Sequence, residues 1–174
     1  MNEQVVLVDG NDVELGLMPK LDAHQHGVLH RAFSVFIFNS AGEMLLQQRA
    51  LDKYHSGGLW SNACCSHPRP GESNVDAAAR RLYEEMGIKC TLTEAFSFVY
   101  RSELENGLIE HEFDHVFVGV SDDEPQPDPI EVGSWCYLKH EALSGMINDH
   151  PEQYTEWFKL CLKDQGEKIF TINK

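Results

Sequence analysis

The chain has 174 residues, 42% hydrophobic and 24% charged, with a formal net charge of -14 from 28 acidic and 14 basic side chains. That length suits one domain, so 1–174 is expected to fold as a single unit with its main catalytic region at about 28–165. The acidic balance disfavours nucleic acid, and the lack of a long apolar run or an export leader argues for a cytoplasmic protein with no stable membrane insertion.

Residues 3 to 8 form a short apolar strand, Asp9-Gly10-Asn11-Asp12 a turn, and Glu14-Leu17 a second strand. A turn or loop then carries Lys20, His24, His26 and His30. Phe33 to Phe38 is a strongly apolar strand, joined through Asn39-Ser40-Ala41-Gly42 to Glu43–Arg49, which predicts a hairpin. A polar loop with Gly57-Gly58 leads to the segment Leu59 to Cys65.

From Ser73 to Met86 the pattern is helical: Ser73 caps it, Asp76 completes an acidic variant of the capping box, and Gly87 stops it. Val75, Ala78, Ala79, Leu82 and Met86 supply the expected buried stripe. Strands follow at Phe96 to Arg101 and roughly Leu108 to Val120, separated by a tight turn at Asn106-Gly107. The acidic, proline-containing stretch Ser121 to Ile130 reads as an exposed loop. Val132 to Leu138 is a strand, helices fit Glu141 to Ile147 and Pro151 to Leu162, and an apolar tail spans Ile169 to Ile172. The expected fold class is α/β (α+β), a mixed sheet flanked by helices.

In a strand, residues two apart share a face, so Glu110 and Glu112 converge, while His111 and His115 point away. Those carboxylates with His24, His30 and His67 make a donor set suited to zinc or manganese, although histidines this far apart need not meet, and the spacing alone favours solvated histidines and a solvated edge strand. His26, His55, His140 and His150 are read as structural or surface residues. The five cysteines are odd in number and include the adjacent pair Cys64-Cys65, which suits reduced thiols rather than a disulfide framework. Strand alternation sends only one of Cys64 and Cys65 to a pocket, without saying which. Arg49, Lys53, Arg69, Arg80 and Arg81 gather cations suited to phosphate, yet Arg80 with Glu84 and Arg81 with Glu85 are also ordinary helix pairs. Glu85 with phosphate oxygens would suit magnesium. Tyr100 ends a strand, and Trp157 sits with Tyr154, Phe158 and Cys161 at a spacing that describes core packing as well as a site.

Taken together, His24, His30-Arg31-Ala32-Phe33-Ser34, Gly58-Leu59-Trp60-Ser61-Asn62, Cys65-Ser66-His67-Pro68, Gly71-Glu72-Ser73, Arg80-Arg81-Leu82, Glu84-Glu85-Met86-Gly87-Ile88, Tyr100, Glu110-His111-Glu112 and Trp157 resemble the type 1 isopentenyl-diphosphate isomerase family, built on the Nudix fold. The likeness runs from about residue 3 to 165 in family order. Against the general Nudix box, Ser66 stands at the glycine position, Glu72 at the first glutamate, and Arg80-Arg81 replaces an Arg-Glu pair. Losing that carboxylate argues against nucleotide hydrolysis, leaving a Nudix-type diphosphate hydrolase as the alternative.

The resemblance implies a divalent ion, zinc or manganese, on His24, His30, His67, Glu110 and Glu112, and magnesium bridging Glu85 and the substrate diphosphate. It implies Cys65, Glu112 and Tyr100 as catalytic groups. Lys20, Arg49, Lys53 and Arg81, with Arg69 as a helper, would meet phosphate, and Trp157 would lie against the prenyl group. The expected partner is a small prenyl diphosphate, and the expected assembly a monomer or weak homodimer.

Overall fold

A computed structural model describes residues 3–53 and 55–171. Its elements are β1 (Gln4–Val8), β2 (Glu14–Pro19), α1 (Lys20–His26), β3 (His30–Phe38), β4 (Met44–Arg49), β5 (Trp60–Asn62), β6 (Cys64–Ser66), α2 (Asn74–Met86), β7 (Leu92–Glu103), β8 (Ile109–Val120), β9 (Val132–Leu138), α3 (His140–Asp149) and α4 (Glu156–Thr171). Ile172 lies outside the described residues.

Strand β3 is the hub of a mixed sheet. It pairs in parallel with β8 along its whole length, from His30↔Glu112 to Phe38↔Val120. It also meets β1 at Leu7↔His30, β6 at Phe33–Val35 and β4 at Phe38↔Met44, all antiparallel. The predicted hairpin therefore closes only at its turn, where the Asn39 carboxamide oxygen accepts from the amides of Ala41 and Glu43. Beyond the turn, β4 leaves to pair with β5 and β9.

Because β3 is covered on both faces, it reads as a continuous apolar run. Phe33, Val35 and Ile37 pack in a core with Ala78, Leu82 and Met86 of α2. Phe36 and Phe38 pack on the other side with Phe158 and Cys161 of α4.

Helix α2 has the predicted cap: the Ser73 hydroxyl accepts from the Asp76 amide, and Gly87 closes the helix at φ 70. Its buried stripe is rotated from the expected one. Ala77 and Glu85 are buried, whereas Ala79 is exposed and Val75 is 43% exposed. The rotation carries Glu85 inward, where Gln47 and Arg81 satisfy its carboxylate. The stretch 121–130 has no regular structure, as expected, but it also does a job: the amides of Gln126 and Asp128 donate to the carbonyls of Met86 and Glu85, meeting acceptors that the end of α2 leaves open.

Three further expectations change. The loop expected to bear Lys20, His24, His26 and His30 is instead helix α1, ended by Gly27 in the left-handed region, followed by His30 at the start of β3. Leu59 to Cys65 divides at Ala63 into β5 and β6. The helix expected over Pro151 to Leu162 is a single 3-10 turn, a break in which the Thr155 amide donates to the Trp60 carbonyl, and then α4, which runs on to Thr171 through the supposed tail. Among the described residues no helix is long and apolar enough to cross a membrane.

Candidate active site

Strand register assembles the site. Parallel pairing sets His30 beside Glu112, and antiparallel pairing sets Tyr100 beside Glu112 and Cys65 beside Ser34. Alternation along β8 turns Glu110, Glu112 and Asp114 inward, where all three are buried. His111 and His115 take other partners, as expected. His111 bonds the Gly27 carbonyl, and His115 bridges Glu94 and Asp12.

His24, His30, His67 and Glu112 are buried, and one ligand atom from each lies within 4.8 Å of the others. The chemistry of these donors fits a divalent cation. Nδ1 of His24 and of His30 each lies 2.8 Å from a backbone carbonyl, those of Lys20 and Val28, which sets these rings to donate there and leaves their Nε2 lone pairs facing inward. His30 Nε2 lies 3.2 Å from His67 Nε2, which is 3.1 Å from Glu112 Oε1. Burial lowers the pKa of His67 to about 4, against the pull of Glu112, so the ring is neutral and ligand-competent.

Burial acts to raise Glu112 as well, but the neighbouring His30 and His67 rings outweigh it and hold this carboxyl well below the usual range. Glu110 stands outside the tight group and is pushed up by burial and by the charge of Glu112. The Tyr100 hydroxyl spans the two, 2.6 Å from Glu112 and 3.2 Å from Glu110. Its own pKa is raised by burial and by those same carboxylates.

The question left open at the adjacent thiols has a clear answer. Cys64 is 0% exposed in the α2-side core, while Cys65 lines a cavity of about 360 Å³. Burial, with Asp114 nearby, pushes the Cys65 thiol well up, so it rests protonated.

The same cavity is lined by Tyr100, Glu110, Glu112, His24 and His67, by the cations Lys20, Arg49, Lys53, Arg69 and Arg81, and by Glu85 and Trp157. Of the expected residues only His30 is not among its lining; it lies behind, bonded to His67. Most of the cations already face carboxylates. Lys20 meets Glu3 at 3.2 Å, Lys53 meets Glu131, and Arg81 meets Glu85 at 2.6 Å and Glu131 at 3.4 Å. Both expected helix pairs form, although Arg80 bonds Glu72 more closely, with two contacts of 2.7 and 2.8 Å. The Arg49 guanidinium lies 5.2 Å from the Trp157 ring centroid.

Sequence reasoning missed several wall residues. His55, expected in a structural or surface role, is buried, edge-on to Trp157, and burial and Arg49 lower it to about 3. Nothing in its polar loop signals this. Glu131 and Glu3 also belong to the wall, as does Gln47, for which the available but unused signal is its two-residue spacing from Arg49 on one strand.

Residues 28–161 match the NUDIX domain family model. The chain is 57% identical over 157 residues to an isopentenyl-diphosphate Delta-isomerase of Pectobacterium atrosepticum, covering 90% of this chain and 88% of the relative. It is 50% identical over 166 residues to that of Serratia proteamaculans, covering 95% and 93%. Among solved structures, a Deinococcus radiodurans protein superimposes with a TM-score of 0.76 at 20% identity, covering 94% of this chain and 99% of that one. A MutT protein from Methanosarcina mazei gives 0.66 at 22% identity, covering 84% and 96%. The last two speak to the fold alone, whereas the near relatives settle the lineage: the chain belongs to the isopentenyl-diphosphate Delta-isomerase family, on a NUDIX fold.

Proposed function

We propose that this chain interconverts isopentenyl and dimethylallyl diphosphate, acting in the cytoplasm. The observation that carries the reading is that one cavity is lined by a thiol, a tyrosine bonded to two carboxylates, an indole ring and a set of cations.

An alkene has no acidic handle, so its double bond moves by adding one proton and removing another, through a tertiary carbocation. Cys65 serves one side of the substrate and Glu112 with Tyr100 the other. From isopentenyl diphosphate, the Tyr100–Glu112 side gives a proton to the terminal carbon, and the Cys65 sulfur takes one from the carbon next to the diphosphate-bearing one. In reverse, the thiol gives and the carboxylate side takes. The forms that start the two directions carry the same number of protons and differ only in which side holds one. At rest the high Cys65 and low Glu112 affinities favour thiol and carboxylate.

His24, His30, His67 and Glu112, with Glu110 beside them, would hold zinc or manganese. That ion would supply a fixed charge that locks Glu112 in place and lowers its proton affinity. Glu85 would bind magnesium together with the diphosphate, and Lys20, Arg49, Lys53 and Arg81, helped by Arg69, would bind the phosphate oxygens. The Trp157 ring would stabilise the cation by ~2 kcal/mol in a desolvated site. The cavity walls must also exclude water, which would trap the cation as an alcohol.

Proton NMR of the purified protein with isopentenyl diphosphate, magnesium and either zinc or manganese tests the reading. Methyl signals of dimethylallyl diphosphate are expected, and they should vanish in Cys65→Ala. Phosphate release without an allylic product would replace isomerisation with hydrolysis.

A further inference from the structure

We propose that Asn62 and Ser34 are positioning residues for the Cys65 thiol, holding its sulfur in a single orientation within the cavity; this rests on the role of Cys65 proposed above. Asn62 is 0% exposed, at the end of β5. Its Nδ2 donates to the carbonyls of Val35 at 3.0 Å and Cys64 at 2.9 Å, so both hydrogens are used and the amide cannot flip. Its Oδ1 is thereby aimed at Cys65, accepting from Sγ at 3.0 Å and from the Ser61 hydroxyl at 3.0 Å.

Ser34 approaches the sulfur from β3, where it is the register partner of Cys65. Its Oγ lies 3.5 Å from Sγ and donates its own proton to Asp114 Oδ2 at 2.8 Å. The sulfur thus sits between two oxygens, each anchored by further bonds, and its proton has one short acceptor. Burying an asparagine, a serine and an aspartate together is costly unless their bonds are made. The bonds of Asn62 to Val35 and Cys64 explain why the chain can break at Ala63. The same bonds hold the remaining oxygen on the sulfur, which is what orienting the thiol requires.

A thiol that must meet one carbon gains from a fixed rotamer, and loosening it is expected to cost about 10-fold in rate. Ser34→Ala should therefore lower kcat by about that factor with KM changed less than about two-fold, and Ser34→Thr, which keeps the hydroxyl, should restore most of it. Infrared difference spectra of each protein against its Cys65→Ala counterpart isolate the S–H stretch of this thiol. In Asn62→Ala that band should move to higher frequency, as expected when the acceptor is lost, which a merely structural asparagine would not cause. A folded Ser34→Ala protein with wild-type kcat, beside an inactive Cys65→Ala protein, overturns the inference and leaves the proposed reaction standing. Full turnover in Cys65→Ala overturns both. If Asn62→Ala does not fold, Ser34→Ala and its threonine rescue decide: a kcat loss restored by threonine upholds the inference, and anything else overturns it.

Discussion

Cys64 and Cys65 are adjacent residues with one chemistry and two fates, separated by strand alternation alone. Removing the Cys65 sulfur should reduce kcat by about 10²–10⁴-fold, the usual span for a general acid–base group. Cys64→Ala should instead leave turnover near wild type and cost about 1–2 kcal/mol of stability through the void left in the α2-side core; chemical denaturation alongside the NMR assay separates the two. His55 gives a pH signature. Its folded pKa is depressed from 6.5 to about 3, so the unfolded chain binds the proton more readily. Its stabilising contribution is complete above about pH 6.5 and fades as pH falls through about 3. Metal-free His55→Phe, which keeps a ring against Trp157, should lose less thermal stability than wild type between about pH 7 and about pH 4.5; equal losses would assign the acid sensitivity to other groups. At this scale, residue types that converge by period, Glu110 with Glu112, were readable from the sequence. His55 and Glu131 were not, because each reaches the cavity wall along a loop path that no local spacing encodes.

Among the elements, α2 was the most legible because its signals are local: a serine cap, an acidic third position and a terminal glycine. Ser73→Ala should cost about 1 kcal/mol, measured as a lower denaturation midpoint with an unchanged slope; no change would mean that water serves the Asp76 amide equally well. Its facing was less legible, since apolar periodicity favoured Val75 and Ala79 over Ala77 and the polar Glu85. The sheet face that receives α2 carries Gln47, which makes a buried glutamate acceptable there. Helix α1 escaped notice for a different reason. It spans only Lys20–His26 and has no side-chain N-cap. It holds its shape by packing on β8 and through the His24 and His26 rings bonding back to backbone carbonyls. Likewise the break before α4 comes from the bond between Thr155 and Trp60, a contact between segments far apart in sequence.

For the molecule as a whole, the buried donor group draws on α1, β3, the segment after β6, and β8, so an ion bound there ties together four segments distant in sequence. Zinc or manganese at about 100 times its dissociation constant should stabilise the fold by about 2.7 kcal/mol, provided that it binds only the folded form. Calorimetry with and without a chelator measures this, and unaltered melting would remove the metal from this group. Substrate approach has a different character. Of the cavity cations, Lys20, Lys53 and Arg81 face Glu3, Glu85 and Glu131, and the molecule carries a net charge of -14. A diphosphate therefore meets repulsion at a distance and must displace resident carboxylates on arrival. Salt screens the distant repulsion within about 10 Å at 0.1 M, so stopped-flow association should speed up as monovalent salt is first added. An enzyme with a positive mouth would slow down, and a monotonic fall in rate would show such a mouth here. Selectivity for the diphosphate then comes from exchange of ion partners at contact, and a weakly charged anion that cannot drive that exchange gains little foothold.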